Sequence, residues 1–167
     1  DLKASDAIKK QSGNLYSVDL PDEKIAQMLD WDAPLSEQPE SIKNIINTDP
    51  QLKKLIADKQ HYRENFLKPK MSDPYNPLSA DDFDRLKEPT GQDLYEMIQS
   101  FDTGSFGFNI GNAQENASKR LNKLGIPGIK YFDGSSRSAG EGTRNFVVFD
   151  ENDMSILTRN GEGLLTK

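Results

Sequence analysis

Apolar positions along the chain change period several times, and each change marks an element. Leu15-Tyr16-Ser17-Val18-Asp19-Leu20 alternates in part and is closed by Pro21, the pattern of a short strand. Pro21-Asp22-Glu23 then opens a short helix with Ile25, Met28 and Leu29 on one face. Ile42, Ile45 and Ile46 have helical spacing. Asp49-Pro50 supplies an N-cap and a first-turn proline for a second helix striped by Leu52, Leu55 and Ile56. Thr90-Gly91-Gln92-Asp93 has the form of a capping box ahead of Leu94, Met97, Ile98 and Phe101. Asn112 is placed to cap a helix that turns Ala113, Ala117, Leu121 and Leu124 inward and stops at Gly125 and Pro127. Strands are predicted at 128–132, 145–150 and Met154 to Thr158. The unbroken apolar run Phe146 to Phe149 fits a central strand covered on both faces.

The weaker stretches are as informative. Between Lys68 and Asp84 prolines 69, 74 and 77 alternate with Asp, Ser and Asn, so this part reads as an exposed excursion at about 68–84. Asp81-Asp82-Phe83-Asp84 lacks calcium-loop spacing and reads as a solvated helix start. Residues 1–12 are polar and fit the end of a helix, and Asp102 to Gly111 form a glycine-rich loop. Trp31, the one tryptophan, is expected to anchor the core beneath a loop. Alternation buries one of Tyr131 and Phe132. No internal repeat is visible. One strand early and several late, with helices between, predict an α+β fold. A chain of 167 residues fits a single domain over 1–167 that buries roughly 68–70% of its unfolded surface.

Composition narrows the chemistry. With 27 Asp and Glu against 21 Lys and Arg the net charge is −6, so the chain gains no counterion release at a phosphate backbone and nucleic acid is not an expected partner. The absence of cysteine removes disulfides, thiol nucleophiles and thiolate zinc sites. His61 is the single histidine and sits in a polar helical run, so no metal site is expected. No apolar run reaches the roughly 18 residues of a membrane span. A chain starting at Asp1 without an initiator Met or signal pattern is expected to be a processed or trimmed product.

The densest chemistry lies in Gly134-Ser135-Ser136-Arg137-Ser138-Ala139-Gly140-Glu141-Gly142-Thr143-Arg144, a polar loop strung between two predicted strands. Arg137 and Arg144 can pair with a pyrophosphate, and the backbone N–H groups of Gly140 and Gly142 can form a small anion nest. Phe106 and Phe108 either fill core or stack on a flat ring, with Phe108 the candidate for a nucleotide contact. The loop reads equally as a solvated connector, since Gly and Ser are ordinary turn residues.

Three blocks carry a family resemblance over most of residues 13–160. They are Gly13-Asn14-Leu15-Tyr16-Ser17-Val18-Asp19-Leu20-Pro21, Leu29-Asp30-Trp31-Asp32-Ala33-Pro34-Leu35-Ser36, and Gly125 to Asp133 continued by Gly142 to Asp150. Together they resemble the ADP-ribosyltransferase-like domains of phage and prophage polyvalent proteins. The resemblance implies a split, mostly antiparallel β core with peripheral helices that grips NAD, as substrate and without a metal. It implies transfer of ADP-ribose to a target macromolecule, with a host protein as partner and no membrane. It further implies a phage-derived effector or toxin, working in the cytoplasm of a bacterial or infected cell, or injected or secreted.

In that family a glutamate heads the late catalytic strand. Here Asn145 takes its place, and Glu141 is the nearby carboxylate that can substitute. An amide can bond a ribose hydroxyl but supplies no negative charge. The family's histidine strand and Gly-x-Gly-Leu-Tyr-type segment normally precede the Gly-Asn-Leu-Tyr strand, where this chain has only twelve residues. The resemblance therefore implies either the C-terminal portion of a longer protein or a variant without the usual NAD clamp. A non-catalytic module, binding a host protein or nucleotide on the same scaffold, is the alternative expectation.

Overall fold

The computed structural model describes residues 14–71, 75, 78–79, 86–102, 112–134, 136 and 142–163. Their elements run β1 (Tyr16–Asp19), α1 (Asp22–Ala26), β2 (Leu29–Asp30), α2 (Glu40–Thr48), α3 (Pro50–Tyr62), α4 (Gly91–Asp102), α5 (Ala113–Lys123), β3 (Gly128–Phe132), β4 (Arg144–Val148), β5 (Ser155–Arg159) and β6 (Glu162–Gly163). The fold is α+β with two small sheets, ordered β1-β5-β6 and β2-β3-β4. Every strand pair is antiparallel except β2 with β3.

Local signals explain most of the helices. Asp49 caps α3, its carboxylate accepting from the N–H groups of Gln51 and Leu52 at 3.0 and 2.8 Å, with Pro50 in the first turn. At α4 the capping box closes in both directions. Thr90 N–H donates to Asp93 Oδ2 at 2.8 Å, and Thr90 Oγ1 accepts from Asp93 N at 3.4 Å. At α5 the chain is closed by Gly125 N–H to Asn122 O and Ile126 N–H to Leu121 O, the paired bonds of a Schellman end. Asn112 precedes α5 as expected but makes no side-chain capping bond.

Leu29, Ile42, Leu52, Leu94, Ile98, Leu121 and Ile129 form the buried core, which joins α2–α5 to one face of the β2-β3-β4 sheet. The second sheet is thin. Val18, Ile156 and Leu157 on it remain about half exposed. Among the described residues no helix is long and apolar enough to cross a membrane.

Several expectations are corrected. α1 ends at Ala26, so Met28 and Leu29 lie beyond it, and Leu29 is buried instead as part of β2. β4 ends at Val148 and, among the described residues, is an edge strand, and Phe146 is 40% and Val147 45% exposed where the apolar run predicts a covered centre. Tyr131 and Phe132 are both half-buried, because one packs towards the core and the other lies under an arginine. After α3 the helical path continues through a π turn at Arg63–Leu67 and on to Lys70, inside the stretch expected to leave the fold. The polar residues 1–12, Asp81–Asp84, and Phe106 and Phe108 lie outside the described residues.

Asp93 gives the fold an acid-sensitive point. Burial is the largest single influence and opposes its ionisation. The Lys59 ammonium on α3, with the N–H and hydroxyl of Thr90, outweighs it and holds the carboxyl below its ordinary 3.8. A depressed folded pKa adds stability that is present above the unfolded value and lost as pH falls through the folded one. Asp93→Asn is expected to lower stability at pH 7 by about 1 kcal/mol, since the pair is partly exposed and screened. Urea midpoints of variant and parent should converge in acid, once the pH has fallen below the lowered folded value. A gap that persists unchanged at that pH would rule out the carboxylate as its source.

Candidate functional site

The β3–β4 hairpin presents the polar loop. Its neck is tied by Asp133 N–H to Thr143 O at 3.1 Å and by Ser136 N–H to Asp133 Oδ1 at 2.8 Å. Thr143 N–H donates to Ser136 Oγ at 3.1 Å, and the Thr143 hydroxyl reaches Asp133 Oδ2. Gly142 closes this neck at φ +121, where a Cβ would sit 2.4 Å from Ser136 Oγ. Of the residues singled out in the loop, Gly142 and Arg144 are described. Arg137, Gly140 and Glu141 fall outside the described residues, as does Phe108.

Arg144 heads β4 and is held on two sides. Its Nη1 lies 2.8 Å from Asp30 Oδ2, and its guanidinium carbon is 3.9 Å from the centre of the Phe132 ring. Asp30 is 9% exposed, so the arginine neutralises a carboxylate that burial disfavours. The neighbouring carboxylate, Asp32, accepts from Phe132 N–H at 2.8 Å, and Asp30 Oδ1 accepts from Asp32 N at 3.2 Å. The loop 30–33 is thus strapped to the end of β3. Asn145 follows Arg144, faces Tyr131 across the strand pair and is exposed.

Two clefts flank this strand. The first, about 560 Å³, opens between the two sheets and is bordered by Arg144, Asn145, Phe146 and Val148 on one side and Val18, Asp19, Leu20, Ile25 and Met154 on the other. An ion pair between Lys24 and Asp153 at 2.6 Å ties α1 to the turn before β5 nearby in sequence. The second cleft, about 470 Å³, lies on the opposite face of β3 and β4, where strand alternation puts Ile129, Tyr131 and Val147. Trp31, Gln92 and Tyr95 complete it. Both volumes fall in the usual range for small-molecule sites, roughly 300–1,000 Å³.

The structure therefore brings Arg144 and Asn145 together on one cleft and adds residues that the sequence reading passed over. Asp19 is the one carboxylate among the described residues bordering the inter-sheet cleft. Trp31, expected to be a core anchor, packs against the core and also walls the second cleft. No local signal marks Asp19 or Gln92 as site residues, since long-range pairing alone delivers them. Among the described residues no group of three or more His, Asp or Glu stands together as a metal site. Comparison with protein-family models, with curated proteins and with solved structures finds no match for this chain.

Proposed function

We propose that the chain is an ADP-ribosyltransferase-type domain that takes NAD in the cleft between its two sheets. The observation that carries this reading is that alternation along β4 turns Arg144, Phe146 and Val148 to one face, where they border that cleft across from Asp19. Arg144 spends Nη1 on Asp30, and the rest of its fork supplies donors to a pyrophosphate. Phe146, 40% exposed, offers a face to a flat ring. Asn145 borders the same cleft through its place on β4, while its side chain shares the face of its partner Tyr131, so the ribose contact is not assigned to its amide.

In the transfer the bond between ribose C1′ and the pyridinium nitrogen breaks, and its electron pair leaves with nicotinamide. Positive charge passes to the ribose, a target nucleophile closes the new bond at C1′, and its proton is lost to a carboxylate or to solvent. An oxocarbenium-like centre needs negative charge close by. Asn145 supplies none, and Asp19 or Glu141 is assigned that part.

An NMR titration with NAD, together with an assay for released nicotinamide, tests the reading. Saturable amide shifts are expected on β4 and on residues 18–20. Phe146→Ala should weaken NAD binding by about tenfold, the size of one lost ring stack. Asp19→Asn should slow nicotinamide release by about 100-fold with binding retained. No shifts at millimolar NAD would sink the proposal. The second reading, a nucleotide-binding module without turnover, is favoured by the amide at position 145 and corresponds to saturable shifts with no nicotinamide released.

A further inference from the structure

On the other face of the same sheet, the geometry points to a second binding site, for a neutral planar nitrogen heterocycle that carries an N–H edge, such as a nucleobase. The cleft of about 470 Å³ is lined by Trp31, Gln92, Tyr95, Ile129, Tyr131 and Val147. Trp31 and Tyr95 meet with ring centroids 5.7 Å apart and planes at 56°, forming a corner rather than a closed stack. Tyr95 is fixed from behind, its hydroxyl bonded to Gln114 O and Ser118 Oγ, both at 3.0 Å. Ile129 and Val147 are direct partners across β3 and β4 and form a flat aliphatic floor. A rigid aromatic corner over such a floor suits a flat ligand, which loses little conformational freedom on entering.

Two polar groups give this cleft an edge to read. Gln92 Nε2 donates to Glu96 Oε1 at 2.8 Å. A carboxylate can only accept, so this bond settles the amide's orientation and leaves Gln92 Oε1 as an acceptor. Tyr131 adds a hydroxyl-bearing side chain to the same lining. An acceptor beside a hydroxyl, above aromatic walls, matches the N–H-bearing edge of a heterocycle.

The lining also argues against the other occupant that aromatic walls suggest, a quaternary ammonium group. None of the described lining residues is a carboxylate. A desolvated cation would be balanced by ring quadrupoles and, at the rim, by a Glu96 carboxylate already engaged by Gln92. A neutral ring forgoes that penalty. This inference is independent of the NAD reading, because the two clefts lie on opposite faces of the sheet.

Trp31 is the only tryptophan, so the indole emission of the whole chain reports on this cleft. Titrating the full chain with adenosine, excited at the red edge of the indole band, should give a saturable change. The Gln92 side chain is exposed and bonded only within its own helix, so Gln92→Ala should fold normally and weaken that response by about tenfold, as loss of one hydrogen bond to a ligand typically does. Tyr131→Phe should weaken it several-fold, and Phe146→Ala, in the other cleft, should leave it unchanged. Choline at the same concentrations should give no saturable change. The inference is overturned by a flat adenosine titration, by an undiminished response in Gln92→Ala, by a response lost in Phe146→Ala, or by choline acting as well as adenosine.

Discussion

Gly91→Ala is expected to destabilise the protein by about 3 kcal/mol, at the upper end of what overpacking usually does. Helix propensity argues for the opposite sign, since alanine in place of glycine inside a helix is worth up to about 1 kcal/mol. Space decides against it. A Cβ on Gly91 would lie 2.1 Å from the Asp30 carbonyl oxygen and 2.8 Å from its carbon, and both are backbone atoms that cannot turn aside. The start of α4 is held in that position by Gly91 N–H to Ala33 O at 3.1 Å and by Gln92 N–H to Trp31 O at 3.0 Å. Backing α4 away would break both bonds and draw Gln92 and Tyr95 from the aromatic cleft. The urea midpoint should fall with the slope unchanged, and Trp31 emission should shift with it. A midpoint equal to or above the parent's would mean that α4 does not approach the 30–33 loop this closely.

What the sequence made legible is the structure that is coded locally. Asp49-Pro50 and the Thr90–Asp93 box fix their own helix starts within a few residues, and both form the bonds that their spacing predicts. β3, β4 and β5 were readable to within a residue or two at their ends, because short β-rich runs bounded by turn residues carry their own signal. β2 was not. Leu29-Asp30 is a strand only because it pairs with Ile129-Lys130, a partner far along the chain. The same limit hid sheet order. Phe146 to Phe149 reads as a covered strand because periodicity reports which side chains are apolar, not whether another strand lies outside them. One local signal went unread. Asn160-Gly161, with φ of 53 and 84, turns β5 into β6 as a two-residue hairpin loop of the kind that dipeptide favours. For the candidate site the division is similar. Arg144 and Asn145 announce themselves at the head of a strand, whereas Asp19, Trp31 and Gln92 enter through contacts between distant segments.

Gln38 is a sharper case of chemistry placed by the fold, and its replacement is the second large effect expected. The side chain is 2% exposed. Its Oε1 accepts from Asp30 N–H at 2.8 Å, while Nε2 donates to Asp30 O at 2.7 Å and to Ala33 O at 2.9 Å. One amide thus satisfies the short β2 strand and the loop that carries Trp31, including the same Asp30 carbonyl that Gly91 approaches. Gln38→Ala strands buried backbone groups at about 1–3 kcal/mol each, so a loss of about 3 kcal/mol is expected once water refills part of the space. Gln38→Glu separates hydrogen bonding from shape. It keeps the volume and the acceptor for Asp30 N–H, but an ionised carboxylate has no donor for two carbonyl oxygens and repels both. That variant should be at least as unstable as Gln38→Ala at pH 7 and should recover as the pH falls, when the protonated carboxyl regains one donor. The pH trend is opposite to the one expected around Asp93, which makes the two separable in a single series of urea midpoints. If Gln38→Ala shifts stability by less than about 1 kcal/mol, or if Gln38→Glu shows no recovery in acid, the amide is not what holds the Trp31 loop against the sheet.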